Sequence, residues 1–226
     1  MLILGHRGAS KAHPENTLQA FAAAYEGGAQ GLEFDVRADV NGVPVISHDR
    51  SLERRGGDPR NVDELTVEDL KSFDVGNGYR MPTLHETLEL AGGRGFLDIE
   101  VKQAGIEEAV LKELVGYRGA WAISSFDWSS LAAFRKLDRS VELWLLAMQF
   151  NDALFDTARQ ISAKGVAMHH SQLNEASVAS ARQKGLGVLA WTVNDAGEAQ
   201  RLADLGVDAL CTDVPELLYM LGGAKA

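Results

Sequence analysis

Short apolar runs recur along the sequence at a nearly constant interval, and this repeat restricts the possible folds more than any other feature. From residue 120 onward the runs lie about 20 to 25 residues apart, each followed by a helical pattern of apolar residues. They are Ala120–Ser124, Val141–Ala147, Gly165–His169, Leu186–Trp191 and Val207–Cys211. Earlier runs near residues 2, 31 and 96 make eight candidate strands. Eight strand–helix units predict an α/β fold, the (β/α)₈ TIM barrel.

The interval is broken once, between the second and the third strand, which lie about 65 residues apart. We therefore expect a single domain over residues 1–226, with a small inserted segment at about 38–82 after the second strand. Asn41-Gly42 predicts a hairpin turn at its start. Thr66 and Asp69 form a capping pair before a short helix, and Asn16 with Gln19 suggests a similar cap for the first helix of the barrel.

The composition narrows the range of partners and locations. A formal net charge of −10 argues against affinity for nucleic acid or an anionic membrane, so we expect neither a nucleic-acid partner nor stable membrane association. The single cysteine, Cys211, cannot close an intramolecular disulfide and is expected to be buried. No apolar run approaches the ~18 residues of a membrane span, and no signal-peptide pattern is present, so a cytoplasmic location is predicted. The oligomeric state is not fixed by the sequence.

Two strands carry acidic side chains where a buried strand normally carries apolar ones. Glu33 and Asp35 lie two residues apart on the second strand, and Glu100 has the same phase on the third. In a barrel these positions lie at the C-terminal mouth, where active sites form. Three carboxylates together favour one hard divalent cation, Mg²⁺ or Ca²⁺. The alternative is that the acids pair with Arg7 and Lys102.

Two histidines, His6 and His48, lie in loops next to the predicted cation site. Histidine titrates near neutral pH, so the two residues suit one general base and one general acid. Arg7 and Lys102 can neutralise the oxygens of a phosphoryl group. The sequence lacks a nucleophile elbow and the Cys/His spacing of a zinc site, so the pattern favours phosphodiester chemistry over acyl transfer or zinc hydrolysis.

A set of short motifs, in order and spread over nearly the whole length, resembles the glycerophosphodiester phosphodiesterase family, and most closely its small cytoplasmic type. The early motifs are His6-Arg7-Gly8, Pro14-Glu15-Asn16-Thr17, Glu33-x-Asp35-Val36 and His48-Asp49. The later ones are Pro82-Thr83-Leu84, Glu100-x-Lys102, Ser125-Phe126, Trp191-Thr192-Val193-Asn194 and Thr212-Asp213-x-Pro215. The residues Ser51–Pro59 depart from the family pattern because they lack the threonines that usually follow the arginine.

The resemblance implies a metal-dependent hydrolase that converts a small glycerophosphodiester into glycerol 3-phosphate and an alcohol. It implies one divalent metal on Glu33, Asp35 and Glu100, with His6 and His48 as the acid–base pair. In the family's mechanism the glycerol hydroxyl of the substrate attacks phosphorus, and water then opens the cyclic phosphate. Which histidine acts first is left open.

The resemblance also implies roles for residues around this centre. Arg7 and Lys102 would bind the phosphate, and Trp191 would pack against glycerol, although its position alone also fits a core tryptophan. Glu15 and Asp49 are expected to support the site, and Asn16 to cap a helix. Asp98 lies outside the usual pattern, one pleat below Glu100, and either supports the metal site indirectly or pairs with Lys102.

Three other interpretations remain open. The first is a lysophospholipase D-like hydrolase of lipid phosphodiesters with the same site. The second is a non-catalytic phosphodiester-binding module, although no predicted metal ligand or histidine is missing. The third is a glycosidase with two carboxylates, in which the histidines and the cations would have no clear role.

Overall fold

Eight parallel strands close into a barrel in the computed structural model, which describes residues 1–217. Residues 218–226 of the domain predicted over 1–226 lie outside the described residues. The barrel strands are β1 (Leu2–His6), β2 (Gly31–Ala38), β4 (Phe96–Val101), β5 (Ala120–Ser125), β6 (Leu143–Ala147), β7 (Gly165–His169), β8 (Gly187–Trp191) and β9 (Ala209–Thr212). A short strand, β3 (Pro44–Ile46), lies outside the barrel proper. The predicted TIM barrel is confirmed.

The first strand closes the barrel because it pairs in parallel with both β2 and β9. Helices connect successive strands and cover the outside of the barrel. They are α1 (Leu18–Glu26), α4 (Leu84–Ala91), α5 (Glu107–Leu114), α6 (Trp128–Leu137), α7 (Asp152–Gln160), α8 (Glu175–Gln183) and α9 (Ala196–Asp204). The main apolar core lies between these helices and the outward faces of the strands. Within residues 1–217, no helix is both long and apolar enough to cross a membrane.

The inward faces of the strands change from apolar to polar around the barrel. Leu4, Trp144, Leu146, Leu189 and Cys211 belong to a buried apolar cluster inside the barrel, so the expected burial of the cysteine is correct. The inward residues of β2 and β4 are instead mostly acidic. One wall of the interior is therefore charged, and the rest is apolar.

Two glycines give the large side chain of Trp144 its space. A Cβ atom added at Gly165 would lie 2.5 Å from the Trp144 ring, and one added at Gly187 would lie 2.8 Å from it. Real Cβ atoms essentially never approach so closely, so only glycine fits at these two positions while the indole fills the barrel.

The segment between β2 and α4 forms a small covering structure, at the place where the sequence predicts an insertion. Its strand β3 pairs antiparallel with the end of β2 through a turn at Gly42, as the Asn41-Gly42 signal predicts. Two short helices follow, α2 (Glu53–Gly56) and α3 (Val67–Ser72), and Thr66 and Asp69 form the expected capping box. Seven buried apolar residues form a separate cluster here: Val45, Leu52, Val62, Leu65, Leu70, Val75 and Met81.

One local prediction is wrong. Helix α1 is capped by Thr17, whose side chain accepts a hydrogen bond from the Ala20 amide, and not by Asn16 with Gln19. Asn16 has a positive φ of 57° and donates from Nδ2 to Asp35 Oδ2 at 2.8 Å. The side chain of Asn16 therefore binds the buried carboxylate of Asp35 and does not cap helix α1.

Candidate active site

The turn after β1 places the first polar residues of the barrel mouth. Arg7 has a left-handed φ of 55°, and its amide donates both to the Glu33 carbonyl at 2.8 Å and to Glu33 Oε2 at 3.1 Å. Gly8 follows with φ 87°, and a Cβ there would lie 2.5 Å from the backbone of Ala20. Tight packing against α1 thus holds the turn in an unfavourable conformation, as is common at functional sites.

Glu33, Asp35 and Glu100 meet at the mouth. Their strands are in register so that Asp35 lies beside Glu100, and one carboxylate oxygen from each residue lies within 4.8 Å of the others. All three are buried, and Asp35 is fully inaccessible to solvent. Three carboxylate oxygens at this spacing form an acidic triad that can bind a divalent metal ion.

The pKa values of this triad show how unfavourable it is without a cation. Burial and the charges of Asp35 and Glu100 raise the pKa of Glu33 well above its usual value. Burial and the charge of Asp35 raise the pKa of Glu100 to about 7. Burial alone would raise the pKa of Asp35 too, but the charges of Arg7 and Lys102 lower it. A hard cation would stabilise all three ionised carboxylates, so this donor set fits Mg²⁺ or Ca²⁺.

Arg7 and Lys102, the predicted phosphate ligands, contact the acids. Arg7 Nε lies 3.1 Å from Asp35 Oδ2, and Lys102 Nζ lies 2.6 Å from Glu100 Oε1 and 3.3 Å from Asp35 Oδ1. Asp98, the other suggested partner of Lys102, makes no such contact among the described residues. Both cations line the mouth next to the triad, where they can also meet an anionic substrate.

His6 is held by Asp213, an acid to which the sequence pattern assigns no role. His6 Nδ1 lies 2.7 Å from Asp213 Oδ1, and His6 Nε2 lies 3.9 Å from Glu33 Oε2. Ser10 Oγ and Asn194 Nδ2 also donate to Asp213, at 2.7 and 2.6 Å. Burial opposes the effect, but these hydrogen bonds lower the pKa of Asp213 well below its usual range. Asp213 therefore stays ionised and leaves Nε2 of His6 facing the cavity.

His48 has a matching arrangement on the other side of the mouth. Its Nδ1 lies 2.7 Å from Asp49 Oδ1, and Arg54 donates to the other oxygen of Asp49. Although burial opposes it, hydrogen bonds from Arg54 and His48 lower the pKa of Asp49 to about 2. Burial is the largest influence on His48 itself and lowers its pKa.

Arg54 connects Asp49, the partner of His48, with Glu15, which in turn pairs with Arg7 next to His6. Arg54 Nη2 lies 2.7 Å from Glu15 Oε1, and the same oxygen lies 3.2 Å from Arg7 Nη1. Burial opposes ionisation of Glu15, but the hydrogen bond from Arg54 lowers its pKa. The loop that departs from the family pattern thus supplies a cation that braces the site.

A cavity of about 120 Å³ lies at the centre of these groups, with room for a small polar molecule. Its charged and polar lining consists of His6, Arg7, Glu33, His48, Asp98, Glu100, Lys102 and Ser124. Its apolar lining consists of Phe126, Leu146, Leu189, Trp191 and Cys211. Trp191 packs edge-on against Phe126, with the ring centres 5.7 Å apart. The structure therefore brings together every predicted metal, histidine, phosphate and aromatic residue.

The remaining functional candidates differ in how visible they are in the sequence. Asp213 and Asn194 lie in motifs at strand ends, which is the signal that identifies barrel-mouth residues, but the motifs alone assign neither of them a role. Arg54 lies in the one-turn helix α2 of the insertion, away from any strand end, and carries no such signal. At the end of β7, His169 packs against Trp191, and His170 Nδ1 lies 2.7 Å from Glu198 Oε1.

Comparisons with known proteins show which family the chain is related to. The sequence matches the family model described as the glycerophosphoryl diester phosphodiesterase family over residues 6–217. It is 33% identical to a glycerophosphodiester phosphodiesterase of Caldanaerobacter subterraneus subsp. tengcongensis, covering 97% of each chain. A phosphodiesterase of Oleispira antarctica, solved in complex with the product sn-glycerol-3-phosphate, is 27% identical with a TM-score of 0.92, covering 99% of this chain and 97% of that one. A relative from Bacillus altitudinis, named glycerophosphodiester phosphodiesterase, is 32% identical over 95% of each chain.

Proposed function

Because the chain belongs to the glycerophosphoryl diester phosphodiesterase family, we propose that it hydrolyses small glycerophosphodiesters to glycerol 3-phosphate and an alcohol, with His6 and His48 as the acid–base pair. One observation carries the proposal. Two histidines, each oriented by an aspartate through Nδ1, line the same cavity as a triad of buried carboxylates. This combination supplies proton transfer and charge neutralisation at a phosphorus atom.

The proposed reaction has two steps, and each needs one base and one acid. In the first step the 2-hydroxyl of the substrate glycerol attacks phosphorus, one histidine accepts the hydroxyl proton, and the other donates a proton to the oxygen of the leaving alcohol. In the second step water attacks the cyclic phosphate and the roles reverse, which restores both histidines. Asp213 and Asp49 keep each Nε2 directed at the cavity, because each aspartate engages the Nδ1 atom of its histidine.

Glu33, Asp35 and Glu100 would hold one divalent cation, Mg²⁺ or Ca²⁺, which supplies Lewis-acid polarisation of the phosphate oxygens when bound. Neutralising the acids would also free the cationic side chains that now pair with them. Lys102 and Arg7 could then donate to phosphoryl oxygens, Lys102 as a point charge and Arg7 as a fork. Trp191 would cover the glycerol carbons from the apolar side of the cavity.

The test is a screen of glycerophosphodiesters by ³¹P NMR, with metal-stripped protein and with Mg²⁺ or Ca²⁺ added back. His48→Ala and His6→Ala are the matched variants, and circular dichroism checks that each remains folded. We expect glycerol 3-phosphate from the wild type only with metal, and a rate about 10²- to 10⁴-fold lower in each variant. A diester that lacks the 2-hydroxyl should not be hydrolysed, and its turnover would refute attack by the substrate's own hydroxyl.

A second candidate is hydrolysis of lysolipid phosphodiesters at the same site. Phe126 and Met148, in loops at this end of the barrel, are 46% and 57% exposed. Exposed apolar side chains of this kind could contact the acyl chain of a lysolipid. Rates on water-soluble diesters and on lysolipids below their micellar concentration would separate the two. Faster turnover of the lysolipid would replace the first proposal with this one.

Other predictions from the sequence stand as proposals. We propose that residues 1–226 form one domain with the inserted segment at about 38–82, and that the protein acts in the cytoplasm without a nucleic-acid partner. The small cluster of buried apolar residues in the insertion packs beside the His48 loop, which supports treating it as part of the same domain.

A further inference from the structure

Apart from Arg7 Nε, which is ion-paired with Asp35, three buried polar atoms of residues that line the cavity have no hydrogen-bond partner within the described part of the chain. They are Asp98 Oδ1, Ser124 Oγ and Trp191 Nε1. Asp98 is only 3% exposed, and Ser124 is fully inaccessible to solvent. A buried polar atom without a partner costs about as much free energy as a lost hydrogen bond, so such atoms are rare in folded proteins. Three of them around one cavity indicate a polar ligand.

Asp98 and Ser124 lie on neighbouring strands and face the same space. Glu100, two residues after Asp98 on β4, pairs in register with Ser124 on β5. Burial raises the pKa of Asp98 and the neighbouring Ser124 hydroxyl lowers it, while neither Asp98 Oδ1 nor Ser124 Oγ has a partner in hydrogen-bond geometry. The two groups therefore form a polar pair against the apolar surface of Leu146, Leu189 and Cys211.

The depth of Asp98 below the triad matches the length of the proposed substrate. Asp98 lies two residues below Glu100, a distance of about 6.6 Å along a strand. The chain of bonds from phosphorus to the terminal oxygen of glycerol has a comparable length. A phosphate held at the level of the triad would thus place the terminal glycerol hydroxyl beside Asp98, with the carbon chain along the apolar wall.

We infer that Asp98 and Ser124 bind the terminal hydroxyl of the glycerol and so determine specificity for glycerol over deoxygenated diols. This inference rests on the proposed function and adds a residue pair that is distinct from the triad, the histidines and the phosphate ligands. Asp98 accepts the hydrogen bond from the substrate hydroxyl, and Ser124 donates to the same oxygen. When a diester that lacks this hydroxyl fills the cavity and displaces water, Asp98 and Ser124 are both left without a hydrogen-bond partner. The site therefore discriminates against such a diester.

The experiment compares two substrates that both keep the attacking 2-hydroxyl: glycerophosphocholine and its propane-1,2-diol analogue, which lacks the terminal hydroxyl. The wild type should prefer glycerophosphocholine in kcat/KM by roughly 5- to 150-fold. Asp98→Leu should abolish the preference, Ser124→Ala should reduce it, and Asp98→Asn should retain most of it because an amide oxygen still accepts. Asp156→Asn, an exposed change on α7, is the control.

The ratio of the two substrates isolates hydroxyl recognition, since any damage to the neighbouring triad lowers both rates together. Calorimetric binding of glycerol 3-phosphate and propane-1,2-diol phosphate to wild type and Asp98→Leu gives a readout that needs no turnover. Equal rates on both substrates in the wild type, or an unchanged preference in Asp98→Leu, would refute the inference and leave the proposed function intact. No release of glycerol 3-phosphate from glycerophosphocholine would refute both.

Discussion

Replacing Asp213 by asparagine should disable His6 through its tautomer rather than through its position. The amide of Asn194 is fixed, because its Oδ1 accepts from Asp213 N at 2.8 Å and from Thr212 Oγ1 at 3.1 Å. Its Nδ2 therefore continues to point at residue 213, so the new asparagine must turn its oxygen towards Asn194 and its NH₂ group towards His6 and Ser10. Nδ1 of His6 must then accept a hydrogen bond, which moves the ring proton to Nε2.

This exchange removes the Nε2 lone pair that His6 needs in whichever step it accepts a proton. General acid–base catalysis by one histidine contributes about 10²- to 10⁴-fold, so kcat/KM of Asp213→Asn should fall by about this factor. Hydrolysis of glycerophosphocholine, followed by ³¹P NMR, measures the loss, and ¹⁵N NMR of the histidine ring reports the tautomer.

Asp213→Ala is the matched control, because it removes the carboxylate without imposing a tautomer. The asparagine variant should be no more active than the alanine variant, despite its closer shape. The reasoning is wrong if Asp213→Asn retains activity within about 3-fold of the wild type, or if His6 keeps its proton on Nδ1.

Three further predictions concern other parts of the molecule. Gly165→Ala puts a Cβ 2.5 Å from the Trp144 ring and should cost about 1–3 kcal/mol of unfolding free energy, measured by urea denaturation; an unchanged midpoint would contradict the packing. Arg54→Met removes the cation between Glu15 and Asp49 and should lower kcat/KM about 5-fold with little change in thermal stability. Activity equal to that of the wild type would show that these ion pairs do not contribute to catalysis. A hydrogen bond from Arg201 lowers the pKa of Glu198 from 4.5 to about 2, so its contribution is complete above pH 4.5 and is lost as the pH falls towards 2. The stability difference between wild type and Glu198→Gln, about 1 kcal/mol at neutral pH, should therefore shrink over that window in urea titrations; a difference constant with pH would refute the assignment.

The parts of the site that follow from strand periodicity could be predicted from the sequence. Glu33, Asp35 and Glu100 alternate with apolar residues, and alternation in a barrel fixes which side chains point inward. His6 is the last residue of β1, where the sequence predicts a loop, but its place at the mouth needs only the strand assignment.

The remaining contacts depend on tertiary structure that no local pattern encodes. Asn16 and Thr17 are both good cap residues, and the choice between them follows from the positive φ of Asn16 and from its hydrogen bond to Asp35, nineteen positions further on. Arg54 reaches Asp49 and Glu15 from the four-residue helix α2 of the inserted segment, which is too short to show a periodic pattern in the sequence.

The central claim is that a cation on the carboxylate triad and two oriented histidines act together on a glycerophosphodiester. The most direct measurement is the initial rate of glycerol 3-phosphate release from glycerophosphocholine by metal-stripped protein, before and after addition of Mg²⁺ or Ca²⁺, for the wild type and for His6→Ala and His48→Ala. We expect no release without metal, restored release with metal in the wild type, and a loss of at least about 10²-fold in both variants. Release that is independent of metal, or full activity in either histidine variant, would contradict the account.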